Sequence, residues 1–112
     1  MYNKNNVFAK IISKEIPAKL VFENQDSLAF YDINPKAPVH ILVIPKGEYT
    51  DYSDFINKAS HEEVLKFFKA VDEIAKKECG NNYRLVSNIG ADSGQEVFHF
   101  HMHILGGKKL GE

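Results

Sequence analysis

Three histidines at alternate positions, His99, His101 and His103, are the residues of this chain best suited to chemistry. Side chains on a β-strand alternate between its two faces, so this spacing predicts that the three imidazoles share one face. The opposite face would carry the apolar residues of the same stretch, Phe98, Phe100, Met102 and Ile104. Imidazole titrates near neutral pH and serves as acid, base or metal ligand. Since three of the five histidines lie here, we predict a functional site rather than a packing role.

The spacing of this row limits what it can do. Neighbouring positions on one face of a strand are about 6.6 Å apart, which puts the outer two β-carbons about 13 Å apart. Zn–N bonds are only about 2.0–2.1 Å long, so all three rings can reach one zinc only if the strand curves strongly. Two neighbouring histidines could chelate an ion, and that alternative stays open. A row better suits a central imidazole that attacks phosphorus, with neighbours that orient it and bind charged oxygens.

Other polar residues could complete such a site. The segment 88–95 carries two glycines, and a turn of this kind can aim backbone N–H groups at an anion. Asn88 supplies an amide at its start. His40 is the one polar residue in the apolar run 39–44, so it needs a buried partner, which a histidine on a neighbouring strand could be. Asp32 ends a predicted strand and could bind a ribose diol, or could simply initiate a turn.

Short strands and two helices are predicted to position these residues. Residues 7–15 have apolar residues at roughly helical spacing and end before Pro17, which indicates a short helix. A long helix should begin at Ser60, whose capping box with Glu63 precedes an apolar stripe, and end near Gly80. The predicted strands are 19–23, 27–32, 39–44, 84–87 and 97–105. Short connections favour antiparallel pairing, so we expect an α+β fold in one domain, 1–112.

Composition argues against several classes of protein. The 14 basic and 15 acidic residues nearly cancel, which argues against a nucleic-acid partner. No apolar run approaches the roughly 20 residues of a membrane-spanning helix, so no membrane partner is expected. The single cysteine, Cys79, cannot form an internal disulfide, which favours a reducing compartment and predicts a cytoplasmic location.

The order of these residues resembles the histidine-triad (HIT) superfamily, and within it the Hint branch of nucleoside phosphoramidate hydrolases. The resemblance is carried by segments 30–35, 38–40, 44–46 and 88–90 and by the His-x-His-x-His pattern. It implies a HIT-like fold, a five-stranded antiparallel sheet with one short and one long helix, continued across a homodimer into a ten-stranded sheet. It also implies that the ligand is a purine nucleotide (AMP, GMP or adenosine-like). The reaction implied is hydrolysis at the α-phosphorus, without a metal or other cofactor.

The resemblance assigns catalytic roles to four histidines. His101 is expected to be the nucleophile that takes the nucleotidyl group. His99 and His40 are expected to form the hydrogen-bonded support that fixes the tautomer and orientation of His101. His103 is expected to hold phosphate oxygens.

The resemblance also assigns a nucleotide pocket. Asp32 is expected to bind the ribose hydroxyls. Asn88 is expected to contact the phosphate, together with the segment that follows it: Gly94, Gln95, Glu96 and Val97. The expected walls of the base pocket are Phe8, Ile11, Ile16, Phe30 and Ile33.

Two features depart from the Hint pattern. Glu96 aligns with a phosphate-contacting serine, and a carboxylate facing phosphate oxygens would repel them. The tail after Gly107 is short and lacks an aromatic residue, which bears on leaving-group preference. One alternative function is a dinucleoside polyphosphate hydrolase of the same superfamily, although such relatives are usually longer. A non-catalytic nucleotide-binding or scaffold module is another, although all the chemical groups are present.

Overall fold

A computed structural model describes residues 1–111 and confirms the α+β fold class. Its helices are α1 (Val7–Ile12), α2 (Tyr52–Lys58) and α3 (His61–Cys79), with a short 3-10 turn at Ala91–Ser93. Its strands are β1 (Leu20–Glu23), β2 (Ser27–Tyr31), β3 (Val39–Pro45), β4 (Tyr83–Val86) and β5 (Met102–Gly106). The five strands form one antiparallel sheet in the order β1-β2-β3-β5-β4. No helix within residues 1–111 is long and apolar enough to cross a membrane.

Each helix begins at a side chain that accepts a hydrogen bond from the first turn. Asn6 accepts from the N–H of Ala9, and Asp51 accepts from Asp54. At α3, Ser60 accepts from the N–H of Glu63 at 3.1 Å, as predicted. The other half of the predicted capping box is wrong, because the Glu63 carboxylate accepts a hydrogen bond from the Tyr49 hydroxyl instead. Side-chain caps of this kind satisfy N–H groups that have no partner inside the helix.

The alternation of side chains along β3 divides the interior into two parts. Ile41 and Val43 face α3 and α2, in a core with Phe55, Phe67, Val71, Phe100 and Ile104. Leu42 and Ile44 face the other way, toward α1, in a smaller core with Phe8, Ile11, Leu28 and Phe30. The face that carries Leu42 also carries His40, two residues earlier. The strand therefore buries apolar side chains on both faces while it holds one histidine toward α1.

The last strand is shorter than predicted. We predicted a strand over 97–105, but β5 covers Met102–Gly106, and residues 99–101 precede it outside the ladder, with a bend at His99. Pairing with β3 begins at Val43 and Met102. Before that point, the backbone of the segment bonds to groups outside the β3–β5 ladder. Phe100 donates its N–H to the Tyr49 carbonyl, and the His101 carbonyl accepts from the Ser87 hydroxyl. Pro45, at the end of β3, has no N–H to continue a ladder.

The expectation of two helices is also wrong, because α2 is a third one. This helix has only seven residues and contributes one fully buried side chain, Phe55. Phe55 stacks on Phe100, with ring centroids 4.9 Å apart. Helix α2 therefore packs against the apolar side of the histidine segment through this contact. A run of seven residues is too short for its periodicity to predict such a helix.

Candidate active site

A cavity of about 870 Å³ lies between α1 and the face of the sheet that carries His40. Cavities of roughly 300–1,000 Å³ are typical small-molecule sites. Thirteen residues that were predicted to form the site line it: Phe8, Ile11, Ile16, Phe30, Asp32, Ile33, His40, Asn88, Gly94, Glu96, Val97, His101 and His103. Two others, His99 and Gln95, are buried behind its wall.

His101 presents one free ring nitrogen to this cavity. Its Nδ1 lies 2.7 Å from the backbone carbonyl oxygen of His99. A carbonyl can only accept, so Nδ1 carries the proton and Nε2 keeps its lone pair. Burial lowers the pKa of His101, which keeps the ring neutral at pH 7. The ring of Phe8 packs edge-on against it, with centroids 4.9 Å apart. The result is an oriented, uncharged imidazole with a nucleophilic nitrogen.

His40 and His103 form a hydrogen-bonded pair beside it. The backbone N–H of Lys36 donates to His40 Nδ1 at 3.0 Å, so the proton of neutral His40 resides on Nε2. That Nε2 donates to His103 Nδ1 at 2.9 Å. Neutral His103 must then carry its own proton on Nε2, where it is available as a donor. Burial lowers the pKa of His103 to about 4, and the neighbouring His101 and His40 add to this effect.

Of the two histidines expected to support His101, His99 does so with its backbone carbonyl rather than its ring, whereas the His40 ring bonds to His103 instead. The His99 ring is fully buried, with Nε2 donating to the Pro45 carbonyl at 2.7 Å and Nδ1 accepting from the Tyr2 hydroxyl at 2.5 Å. Both of its nitrogens are thus occupied away from His40. His99 acts on His101 through its backbone carbonyl, because the chain leaves the β-ladder there and the two rings no longer stand side by side.

The two carboxylate oxygens of Asp32 face different surroundings, so the residue can both initiate a turn and bind a ribose diol. Its Oδ1 accepts the N–H of Asn34 at 2.7 Å, which makes it the initiator of a turn. Its Oδ2 faces the cavity, 3.4 Å from His40 Nε2. One carboxylate oxygen therefore fixes the turn, while the other can contact a ligand.

The glycine-containing turn does not offer the N–H groups that were predicted. Gly90 and Gly94 both adopt positive φ, which favours glycine. The N–H of Gly94 donates to Ala91, and that of Gln95 donates to Gly90, so both close the turn on itself. That part of the expected anion nest is wrong. Within residues 1–111, the next two N–H groups, those of Glu96 and Val97, have no acceptor.

The side chain of Gln95 is a structural brace rather than a wall of the cavity. Its Oε1 accepts from the N–H of Gly90, and its Nε2 donates to the carbonyls of Thr50 and Val97. It is only 3% exposed. Gln95 therefore ties the glycine-containing turn to the loop that precedes α2, and this turn holds Glu96 and Val97 at the cavity.

Asp32, His40 and His103 are the one group of potential metal ligands within residues 1–111, with ligand atoms inside 4.8 Å of one another. The hydrogen bond from Lys36 opposes this use of His40. It leaves the proton on Nε2, the nitrogen that would have to bind the ion. To bind a metal through Nε2, His40 would have to carry its proton on Nδ1. That proton would then point at the N–H of Lys36, and the hydrogen bond between them would be lost.

Sequence reasoning missed several residues of the cavity wall. A period-two pattern could have found Leu42, Val86 and Leu105, which lie two residues from His40, Asn88 and His103. Helical spacing could have found Val7, four residues before Ile11. Lys19 and Lys36 also line the cavity. Nothing local marked these two lysines, which lie in connecting segments.

Comparison with known proteins places the chain in a family. The HIT domain model matches residues 13–110. The chain belongs to the HIT domain family. It is 58% identical to a HIT-like protein of Rickettsia prowazekii over 113 residues, covering 98% of this chain and 93% of that protein. The matched HIT domain contains the four site histidines, whereas Tyr2, Phe8 and Ile11 precede it.

Solved HIT structures are similar over nearly the whole chain. A HIT family hydrolase from Legionella pneumophila is 40% identical with a TM-score of 0.88, covering 96% of each chain. A HIT family hydrolase from Clostridium thermocellum is 38% identical with a TM-score of 0.87, covering 98% of this chain and 96% of that one. At these identities the antiparallel α+β architecture is shared throughout.

Proposed function

We propose that this HIT protein hydrolyses purine nucleoside phosphoramidates through a nucleotidyl intermediate on His101. The observation that carries the proposal is the free lone pair of His101 Nε2 in a cavity of nucleotide size. The close similarity to solved HIT family hydrolases supports the hydrolase class. The phosphorus–nitrogen bond, the purine and the covalent step are our proposal.

In the first step, His101 Nε2 attacks the α-phosphorus and the bond from phosphorus to the leaving amine breaks. The amine takes a proton from solvent as it departs. In the second step, water attacks the same phosphorus, and the bond to His101 breaks to release the nucleoside monophosphate. Covalent catalysis of this kind replaces one difficult displacement by two easier ones. The Nδ1–H to carbonyl hydrogen bond keeps His101 in the reactive tautomer throughout.

Charge on the phosphoryl oxygens is balanced by donors rather than by an ion. His103 donates from Nε2, because His40 occupies its Nδ1. We place Asn88 and the N–H groups of Glu96 and Val97 on the same oxygens. Donors held in place before the reaction need no reorganisation as charge develops, which makes them effective. No cofactor is required by this scheme.

The remainder of the cavity fits a nucleoside. Asp32 Oδ2 is free to accept hydrogen bonds from the ribose hydroxyls. Apolar side chains surround the space beyond it, and we assign them to the base: Phe8, Ile11, Ile16, Phe30 and Ile33. Ile33 is 92% exposed, so it forms a rim that a stacked base would cover.

A turnover panel tests this function. The substrates are adenosine and guanosine phosphoramidates, an aminoacyl-adenylate and a diadenosine polyphosphate. The proposal expects kcat/KM to be highest for a purine phosphoramidate. Preferred cleavage of the diadenosine polyphosphate would favour the related hydrolase activity. Tight nucleotide binding without turnover of any of them would favour a binding module.

We also propose a homodimer that continues the sheet through β4. Among residues 1–111, this edge strand pairs with β5 alone, which leaves its outer backbone groups without a strand partner, and Leu85 is 43% exposed. Leu85→Lys should shift the protein to monomer in sedimentation velocity. Leu20→Lys is the matched control, because Leu20 is 44% exposed on β1 at the opposite edge. A monomeric wild type, or dissociation by the control alone, would contradict this arrangement.

A further inference from the structure

The segment that precedes α1 reaches the histidine site through Tyr2. The Tyr2 hydroxyl lies 2.5 Å from Nδ1 of His99, 97 residues away in sequence. We propose that Tyr2 is a positioning residue for the nucleophile: its hydroxyl fixes the His99 ring, and His99 fixes His101. The kinetic part of this inference rests on the proposed function, whereas the structural part does not.

The direction of each hydrogen bond follows from its acceptor. The Pro45 carbonyl can only accept, so the proton of His99 is on Nε2, 2.7 Å away. His99 Nδ1 must therefore be the acceptor, and the Tyr2 hydroxyl the donor. Burial raises the pKa of Tyr2, which keeps this hydroxyl protonated. Burial lowers the pKa of His99 to about 4, which keeps its acceptor nitrogen unprotonated.

These bonds hold His99 at both ends of its ring. One end is tied to β3 at Pro45 and the other to the segment before α1. The same residue offers its carbonyl oxygen to His101 Nδ1 at 2.7 Å. Because the His99 side chain is fully buried, a loss of the Tyr2 hydroxyl leaves Nδ1 without a partner. Rotation of the ring to find another partner would shift the carbonyl that selects the His101 tautomer.

Packing alone can be separated from this hydrogen bond. The Tyr2 and His99 rings meet edge-on, with centroids 5.5 Å apart. Tyr2→Phe keeps that contact and removes only the hydroxyl. Tyr83→Phe removes a hydroxyl from a half-buried tyrosine on β4 that does not line the cavity, and serves as the matched control. Any affinity tag is placed at the C-terminus, so that the first residues are not disturbed.

Two measurements test the proposal on the intact chain. Long-range ¹H–¹⁵N spectra of the histidine rings report tautomers directly. In the wild type, His101 should show a single Nδ1–H tautomer, and in Tyr2→Phe a second tautomer should appear. In the turnover assay, Tyr2→Phe should lower kcat by about three- to tenfold, the range expected for one hydrogen bond, and change KM by less than about twofold. Tyr83→Phe should match the wild type in both measurements.

The outcomes separate the two proposals. Unchanged His101 signals in Tyr2→Phe would overturn the inference, and so would an unchanged kcat in an active wild type. A change confined to thermal stability, with His101 signals and kcat intact, would mean that Tyr2 only packs. If the wild type turns over no nucleotide substrate, the proposed function fails, but the ring spectra still decide the role of Tyr2.

Discussion

Acid should destabilise this protein through its buried histidines, and His99 gives the size of the effect. Burial lowers its pKa from 6.5 in the unfolded chain to about 4 in the fold. A depressed histidine pKa means that the unfolded state binds the proton first. The stability that His99 contributes is therefore complete above pH 6.5 and is lost as the pH falls toward 4. His103 has the same sign and a pKa of about 4.

The magnitude follows from the interval between the two pKa values. Between pH 7 and pH 5, one such group should lower the free energy of unfolding by about 2 kcal/mol. Urea denaturation of the unliganded protein at the two pH values measures this loss. His99→Gln removes the titrating imidazole. The decrease in the free energy of unfolding from pH 7 to pH 5 should therefore be about 2 kcal/mol smaller in this variant than in the wild type.

What is compared between variants is the change in the free energy of unfolding from pH 7 to pH 5. A destabilisation by the substitution that is equal at both pH values therefore cancels. His61→Gln, at an exposed position at the start of α3, is the control and should lose as much stability as the wild type. If His99→Gln loses as much stability as the wild type between pH 7 and pH 5, the reasoning is refuted. The same holds if an NMR titration of the folded protein shows His99 protonating near pH 6.5.

Other predictions concern the ligand. Asp32→Asn should raise KM for a ribonucleotide phosphoramidate by about three- to tenfold while leaving that of the 2′,3′-dideoxy analogue unchanged; equal effects on both would remove Asp32 from the ribose. Glu96→Gln should raise kcat/KM by about threefold for an anionic leaving group at low salt, and the gain should shrink with added salt. A gain that persists undiminished at high salt would argue against a charge effect. Incubation with EDTA should leave turnover unchanged, whereas a loss restored by zinc would favour a metal at Asp32, His40 and His103.

The sequence predicted the parts of the fold in which local pattern and tertiary packing agree. The apolar stripe of α3, the Ser60 cap and the hairpin of β1 and β2 are all found as expected. Alternation also predicted that Phe100, Met102 and Ile104 share the core face, which they do. Phe98 does not join them, since it is 42% exposed and lies before the strand. Helix α2 was missed because its seven residues are too few to show a period.

Many of the residues that line the cavity could be predicted from the sequence, but the hydrogen bonds among them could not. Residue types and order pointed to Asp32 and His40, and to His101 and His103 of the histidine row, and all four line the cavity. His99, the remaining member of the row, is buried behind the cavity wall. The hydrogen bonds that define their states come from atoms with no sequence signal: the backbone N–H of Lys36, the carbonyl of His99 and the carbonyl of Pro45. Which backbone atom meets which ring depends on where β5 leaves the ladder. That point is set by tertiary contacts such as the one between Phe100 and Tyr49.

The covalent step is tested most directly by trapping its product. An adenosine phosphoramidate is mixed with enzyme and quenched in base within the first turnover, and the digested peptides are mapped by mass spectrometry. We predict an adenylyl group on His101 in the wild type and none in His101→Asn, which should still bind the nucleotide. An adduct on another residue, or turnover in His101→Asn at the wild-type rate, would contradict the assignment.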